Sequence, residues 1–193
     1  ETASESPAPG GGSIAAYCGA LGTALSTMVA NLSANKRGWD DRWEEFSNYA
    51  DKGQTYHSRL LSLVDADTEA FNGIMEAYGL PKSSEEQKAL RTLAIQSATK
   101  HAIEIPMQVA ETAHSAFEVA EAMAELGNPN SITDAGVGAM CLRTAVLGAV
   151  LNARVNTADL TDKAFVVKTL NRCAELVEST TSREAAVLAR VDV

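Results

Sequence analysis

The stretch that decides the fold is SPAPGGGSIAAYCGALGTALSTMVANLSA, residues 6–34, which continues past a proline-glycine segment for a helix's length without a charged side chain. From Ile14 to Ala34 it is long enough to span a bilayer, which needs roughly 20 mostly apolar residues. Gly, Ala, Ser and Thr supply most of it, however, and large aliphatic residues are sparse, so it is weak membrane sequence. We therefore predict a helix buried inside a soluble bundle, with small residues that let neighbouring helices approach closely.

A second segment has the same character. AGVGAMCLRTAVLGAVL, residues 135–151, carries only Arg143 as a charged residue. Two nearly uncharged helices must be shielded from water by other helices. Residues 40–78 and 84–126 are suited to this, because their apolar residues recur at steps of three and four and so form one apolar face on each helix. A last helix is expected over roughly 160–177. The sequence thus predicts an all-α bundle of long helices in one domain spanning residues 1–193.

Turn and cap residues separate these segments. GLPKSS at 79–84 and GNPNSITDAG at 127–136 place glycine, proline and serine in the order expected between two helices. Ser84 and Ser131 are predicted to cap helix starts, Ser131 together with Asp134 three residues later. Pro106 falls inside the third helix and is predicted to kink it near Ala102 to Ile105, because the proline ring clashes with the carbonyl four residues back.

Charge and cysteine content exclude several classes of protein. A net charge of -9 argues against nucleic-acid binding, which needs a basic surface to displace counterions from phosphates. An anionic ligand would therefore need a local basic pocket. Cys18, Cys141 and Cys173 lie far apart without metal-ligand or paired spacing, so we expect no metal site and free thiols in a reducing compartment.

The candidate chemistry begins where the apolar pattern is broken. Asp67 occupies a position of the second helix where a core residue is due, and a buried carboxylate must be paired, hydrogen-bonded or functional. A purely structural pairing is an equally good interpretation of Asp67 from the sequence alone. Asp65 lies one stripe over, and His101 flanks the stripe of the third helix as a weaker candidate for proton transfer.

Polar groups that could bind a ligand occur in three places. The loop Gly10, Gly11, Gly12, Ser13 permits close backbone approach and offers amides to an anion, but it lacks the GK[ST] of a P-loop and could be a flexible entry. The turn with Asn128, Asn130 and Asp134 meets a helix N-terminus, where the amides and the helix dipole favour polar ligand groups. Asn152 and Asn156 share one face further along that helix.

Several motifs together resemble a known family. SPAPGGGSIAAYCGALGTALSTMVANLS, LVDADTEAFNGIMEAYGLPK and LGNPNSITDAGVGAM, followed by LNARVN, are similar to the cyclodeaminase/cyclohydrolase family of folate enzymes, over about residues 7–162. The resemblance implies an all-helical dimer with a folate site near the subunit interface. It also implies that most of the helix preceding PAPGGGS in relatives is missing, with Glu1 resembling its last turn, and that the chain could be the cyclodeaminase half of a formiminotransferase-cyclodeaminase.

The resemblance implies a reaction and roles for the candidate residues. We expect cyclisation of 5-formiminotetrahydrofolate to 5,10-methenyltetrahydrofolate with release of ammonia, a step of histidine degradation. A 5,10-methenyltetrahydrofolate cyclohydrolase is the alternative, and a noncatalytic helical dimerisation module is the alternative of another class. We expect no cofactor beyond the folate, no nucleic-acid or membrane partner, and a cytoplasmic protein. The expected proton shuttles are Asp67, Asp65 and His101; the expected folate contacts are Gly10, Gly11, Gly12, Ser13, Asn128, Asn130, Asp134, Asn152 and Asn156, with Lys36, Arg37 and Lys100 for a glutamate tail that can be polyglutamylated.

Overall fold

The computed structural model describes residues 1–191, which form five α-helices and no strand. The helices are α1 (Gly11–Ala34), α2 (Trp43–Gly79), α3 (Glu85–Leu126), α4 (Ile132–Asn156) and α5 (Lys163–Val191), with 3-10 turns at Asp40–Arg42 and Pro129–Ser131. The predicted all-α class and its two nearly uncharged helices, α1 and α4, are confirmed.

Helices α1 and α4 pack against each other along their whole length in antiparallel orientation. Their small residues make this possible, because a Cβ at Gly22 would lie 2.6 Å from the carbonyl oxygen of Gly138. At the two ends of the pair, Gly11 lies beside Asn152, and the amide of Asn128 donates a hydrogen bond of 2.8 Å to Ser33 Oγ. The pairing therefore places the start of α1 at the end of α4.

Helix α2 covers another side of α1, also in antiparallel orientation. Gly12 lies against Asp67, Gly19 against Leu60, and Gly53 against Thr27. Leu60, which belongs to the predicted apolar stripe, is fully buried in this contact. The pairing carries the second half of α2 to the start of α1, where residues from three helices meet.

Helix α5 is longer than predicted, because it continues from Lys163 to Val191 rather than ending near residue 177. The extension buries Thr180 and Val187, and much of its remaining contact with the bundle is polar. Arg183 makes two charge-assisted hydrogen bonds to Glu121 on α3, of 2.7 and 2.6 Å. An apolar pattern cannot reveal such contacts, which is why the sequence prediction stopped short.

The predicted helix caps have different outcomes. Ser84 caps α3 as predicted, in a capping box with Gln87. The cap predicted at Ser131 is wrong, since its side chain makes no capping hydrogen bond. The side chain of Asn128 instead accepts a hydrogen bond from the Asn130 amide and caps the 3-10 turn. The helical turn expected at Glu1 is also not found, because residues 1–10 form turns and bends outside regular helix.

Both nearly uncharged helices meet the length and composition of a membrane span, with a mean hydropathy of 1.4 in an 18-residue window of Gly11–Ala34 and of Pro129–Asn156. About half of each apolar window is buried inside the bundle, at 56% and 50%. Packing against the other helices therefore explains why the buried half of each window is apolar. The outer half forms one exposed face, the α1/α4 face, made of Ile14, Tyr17, Leu21, Met28 and Leu32 on α1 and Val137, Met140, Leu151 and Val155 on α4.

Candidate functional site

A cleft of about 280 Å³ lies where the start of α1, the second half of α2 and the end of α4 meet. Its walls come from all three helices, from α3 and from the segment preceding α1. The lining residues are Pro7, Ala8, Gly10, Gly11, Gly12, Asp67, Thr68, Ala70, Phe71, Ile74, Ala102, Asn152, Val155 and Asn156. The cleft thus joins two groups that are far apart in sequence, the glycine loop and the paired asparagines, around one predicted carboxylate.

Asp67 is the only ionisable residue among the lining residues, and it is half-buried. Ser13 Oγ donates a hydrogen bond of 3.0 Å to Asp67 Oδ2 and lies 3.2 Å from the hydroxyl of Thr68. Burial raises the pKa of Asp67 above its usual value, and the hydroxyl and backbone of Ser13 oppose this rise by stabilising the ionised form. A carboxyl group with a raised pKa, held by a hydroxyl in a small cleft, is suited to receiving and returning a proton.

Gly12 explains how the carboxylate fits beside the start of α1. A Cβ at this position would overlap both oxygens of the Asp67 carboxylate, so only glycine leaves the space that the carboxylate occupies. The backbone at Gly12 is helical with negative φ, so close approach rather than backbone conformation is the reason for glycine here. The glycine loop therefore makes room for an acid.

Asn152 and Asn156 line the same cleft from the last turns of α4. The side-chain amide of Asn152 donates to the Gly148 carbonyl at 2.8 Å, and that of Asn156 donates to the Ala102 carbonyl on α3 at 3.1 Å. Because a carbonyl accepts only from the NH2 group of an amide, both side chains are oriented by these bonds. The structure thus brings the paired asparagines and the glycine loop to the same cleft.

Two of the residues expected to move protons lie outside the cleft. Asp65 is exposed on α2, although it lies only two positions from Asp67, because neighbouring helix positions point in different directions. His101 is exposed on α3 and lies 3.9 Å from Glu104, while its neighbour Ala102 turns inward to the cleft wall. The structure therefore brings Asp67 alone of the three to the cleft.

Five of the expected folate contacts lie at the opposite end of the bundle: Lys36, Arg37, Asn128, Asn130 and Asp134. The 24 residues of α1 separate Lys36 and Arg37 from the glycine loop by about 36 Å. Lys36 stacks on the Trp39 ring, with Nζ 3.8 Å from the ring centroid. These residues therefore do not share a cleft with Asp67 within one chain.

Lys100, the remaining basic candidate, is also outside the cleft. Its Nζ lies 3.2 Å from the Asp162 carboxylate and 4.5 Å from the centre of the Phe165 ring. The lining residues include neither lysine nor arginine, so the predicted basic pocket is not part of this cleft. The cleft presents amides, hydroxyls and one carboxylate, which suits a polar, largely uncharged portion of a ligand.

Sequence reasoning missed several residues of the cleft wall. Phe71 and Ile74 belong to the apolar residues that recur at steps of three and four in α2, a pattern that predicts core positions, yet they are half-buried and line the cleft beside Asp67. Val155 is 70% exposed on α4 and lies between the two asparagines. The signal that could have identified Phe71 and Ile74 as cleft residues is their position on the same helix face as Asp67, an aspartate where an apolar residue is expected. Within residues 1–191, no group of three or more potential metal ligands occurs.

The fold and the cleft define an all-helical protein whose candidate site combines one half-buried carboxyl group with two oriented amides. The sequence places it more closely: the chain belongs to the family described as formiminotransferase-cyclodeaminase, whose sequence model matches residues 1–175. The family resemblance seen in the motifs is thereby confirmed. Both activities left open by the sequence occur among the names of its relatives.

Three relatives illustrate the range of the family. The chain is 37% identical to a methenyltetrahydrofolate cyclohydrolase from Methylorubrum extorquens over 91% of this chain and 84% of that protein. It is 34% identical to a formimidoyltransferase-cyclodeaminase from Rattus norvegicus, matching along 100% of its own length but spanning only 36% of the rat protein. The crystal structure of a formiminotetrahydrofolate cyclodeaminase from Thermotoga maritima superposes with a TM-score of 0.86 at 28% identity, covering 99% of this chain and 91% of that one.

Proposed function

We propose that this protein cyclises 5-formiminotetrahydrofolate to 5,10-methenyltetrahydrofolate and releases ammonia, with Asp67 as the proton shuttle. The observation that carries the proposal is the half-buried Asp67 carboxyl group, which lies in a cleft against Gly12 and accepts a hydrogen bond from Ser13. The similarity in fold to a formiminotetrahydrofolate cyclodeaminase supports the choice of substrate. Enzyme names throughout the relatives favour catalysis over a noncatalytic dimerisation module.

The reaction requires one proton to move from N-10 of the folate to the formimino nitrogen. N-10 attacks the carbon of the protonated formimino group, and the proton on N-10 passes to the ionised Asp67 carboxylate as the new carbon–nitrogen bond forms. Asp67 then returns this proton to the former imine nitrogen, which is an NH2 group in the adduct, and its bond to carbon breaks as it leaves as NH3. A single carboxyl group with a raised pKa can perform both transfers, because its ionised form is a stronger base than an exposed carboxylate and a larger fraction of it is protonated near neutral pH.

Turnover of purified protein tests this proposal directly. We expect the absorbance of the methenyl product to appear when the protein is mixed with 5-formiminotetrahydrofolate, together with one ammonia for each product formed. The same protein is then mixed with 5,10-methenyltetrahydrofolate, and loss of that absorbance is followed. Inertness toward both compounds would remove the enzymatic proposal and leave the dimerisation module.

The cyclohydrolase is the second candidate function, favoured by the 37% identity and 84% coverage of the Methylorubrum extorquens enzyme. In this reaction water attacks the methenyl bridge, and opening of one carbon–nitrogen bond gives 10-formyltetrahydrofolate. Asp67 would take the proton from the attacking water. Faster turnover of the methenyl compound than of the formimino compound would favour this activity.

The α1/α4 face supports a further part of the proposal, that the protein is a homodimer. Helix α1 contains no charged residue, so its exposed residues offer an apolar surface that a monomer rarely leaves in contact with water. Two helices about 36 Å long, packed side by side, have a size suited to a standard interface of about 800 Å² per partner. Val155 and Gly11 connect this face to the cleft.

Dimerisation would also bring the expected folate contacts at the end of the bundle opposite the cleft close to a cleft. A two-fold axis that crosses α1 near its middle, perpendicular to the helix, would pair the two copies in antiparallel orientation. Lys36, Arg37 and Asn128 of one copy would then approach the cleft of the other. In this arrangement Lys36 and Arg37 of one copy bind the glutamate tail of a folate held in the cleft of the other copy. The described residues that line the cleft include no cationic residue that could bind this tail.

We expect Leu21→Glu to convert the dimer to a monomer. Leu21 is 44% exposed near the middle of α1, and two-fold symmetry would bury a carboxylate from each copy in the interface. Light scattering after size-exclusion chromatography measures the mass. The matched control is Leu90→Glu on α3, because Leu90 is 60% exposed outside the α1/α4 face. A wild-type protein that is monomeric at micromolar concentration contradicts the dimer.

Three further statements complete the proposal. The reaction needs no cofactor beyond the folate substrate, because the transfers involve only protons and a carbon–nitrogen bond. The protein works in the cytoplasm, where its three free cysteines stay reduced. Its functional partner is a formiminotransferase, since the relatives that carry both names in one chain are longer than this chain and join the two activities.

A further inference from the structure

A proline inside α3 leaves one backbone carbonyl without its usual donor. In a regular helix the carbonyl of Ala102 would accept a hydrogen bond from the N–H of residue 106, and that residue is Pro106, which has none. Helix α3 nevertheless continues through both residues, and both are buried. A buried carbonyl without a partner is costly, so it needs a donor from elsewhere in the fold.

The donor comes from α4. The side-chain amide of Asn156 donates a hydrogen bond of 3.1 Å to the Ala102 carbonyl, and both residues line the cleft that contains Asp67. This bond uses the NH2 group of Asn156, so the orientation of its amide is fixed. Within the described residues, the Oδ1 atom of Asn156 has no hydrogen-bond donor.

Asn152 repeats the arrangement one turn earlier. Its NH2 group donates one hydrogen bond to the Gly148 carbonyl, and its Oδ1 has no donor among the described residues. Together with the carboxylate of Asp67, three side chains that line the cleft therefore offer acceptor oxygens to a ligand, and each amide keeps one further N–H. A ligand edge that carries N–H donors fits these oxygens, and the ionised Asp67 carboxylate can pair only with a donor.

We propose that Pro106 is a positioning residue for substrate binding: it frees the Ala102 carbonyl, which holds the Asn156 amide with Oδ1 ready to accept an N–H group of the ligand. This inference rests on the proposed function, because the reduced pterin ring of a tetrahydrofolate carries such N–H donors along one edge. Pro106 itself does not line the cleft, and it acts through the hydrogen bond between α3 and α4.

Replacement of the proline should release the asparagine. In Pro106→Ala the new N–H can bond to the Ala102 carbonyl within α3 and competes there with Asn156, so the bond that orients the Asn156 amide is weakened. We expect KM for the folate to rise by about 2- to 10-fold in Asn156→Ala, the range of one neutral hydrogen bond, with a smaller change in kcat. Pro106→Ala should raise KM within the same range, and the double variant should be no worse than Asn156→Ala alone.

The control for disturbed packing in α3 is Ile105→Val, which removes one buried methylene beside Pro106 and leaves the Ala102 carbonyl unchanged. We expect wild-type KM for this variant, and thermal unfolding shows that each variant is folded. The proposal would be overturned if the increases in KM of Pro106→Ala and Asn156→Ala multiplied in the double variant. A wild-type KM in a folded Pro106→Ala would overturn it as well. Failure of the wild-type protein to turn over either folate would instead contradict the proposed function.

Asn156→Asp provides a second test that does not depend on folding of the proline variant. An aspartate keeps an acceptor oxygen but cannot donate to the Ala102 carbonyl, so it loses the orienting bond while retaining similar shape. We expect KM to rise at least as much as in Asn156→Ala. A wild-type KM for Asn156→Asp would show that orientation by the freed carbonyl is unimportant.

Discussion

Asp67→Asn is expected to reduce turnover by about 100- to 10,000-fold, the range that a positioned acid–base group contributes. Asparagine has nearly the same shape and can still accept the hydrogen bond from Ser13, so the cleft should keep its form. It cannot take up a proton from N-10 or return one to the leaving nitrogen. The measurement is kcat for the formimino and methenyl compounds with folding checked by circular dichroism.

The matched control is Asp65→Asn, two positions away on the same helix. Asp65 is exposed and outside the cleft, so we expect its variant to retain wild-type kcat. This pair of variants separates the two carboxylates that the sequence alone left as rivals. Equal turnover by Asp67→Asn and the wild-type protein would remove Asp67 from the mechanism.

The pH dependence follows from the direction of the pKa shift. Burial raises the pKa of Asp67 in the folded protein, and the reaction begins with the ionised form. We therefore expect kcat/KM of the wild-type protein to fall on the acid side with an apparent pKa above that of an ordinary aspartate, and this limb to be lost in the residual activity of Asp67→Asn.

The same shift has a consequence for stability. Because the folded pKa of Asp67 lies above the unfolded one, the folded state binds the proton more tightly, and this stabilising contribution is lost as pH rises through the folded pKa. At neutral pH the ionised carboxylate therefore lowers the free energy of unfolding. Asp67→Asn should be at least as stable as the wild-type protein at pH 7, which distinguishes lost chemistry from lost structure.

Much of the fold could be predicted from sequence because its main determinants are local. Uncharged runs of small residues around Gly22 and Gly138 identify the buried pair of helices, and three-four spacing around Leu60 identifies the covering helix. The end of α5 could not be predicted, because Arg183 and Glu121 hold it through contacts between residues far apart in the chain. Periodicity does not encode such partners.

The candidate site was predicted only where a residue departs from the pattern of its surroundings. Asp67 in an apolar stripe and the glycine loop at the start of α1 are visible as anomalies, and the structure brings them together. Lys36 and Asn128 are also polar, but they lie at the end of the bundle opposite the cleft. The spacing of residues in the sequence does not show which helices run antiparallel, so it could not place them there. The sequence predicts a kink at Pro106, whereas the bond from Asn156 to the Ala102 carbonyl becomes apparent only when α3 and α4 are packed.

Gly12→Ala is expected to lower turnover by about 100-fold, the cost associated with misplacing a reacting group by about 1 Å. The new Cβ would overlap the Asp67 carboxylate, so the carboxylate must move away from the start of α1 and from Ser13. Backbone strain is not the cause, because φ at this position is already negative and alanine favours a helix over glycine. The measurement is kcat/KM together with the midpoint of thermal unfolding.

The control is Gly73→Ala on α2, since a Cβ there would meet no atom within 4 Å. Both substitutions exchange a helical glycine for alanine and gain up to about 1 kcal/mol of helix propensity, so they differ chiefly in the contact with Asp67. Gly73→Ala should retain wild-type turnover with equal or higher stability. If Gly12→Ala also retains full turnover, the close approach of the glycine loop to the carboxylate has no role in the chemistry, and Asp67 must act from a different position.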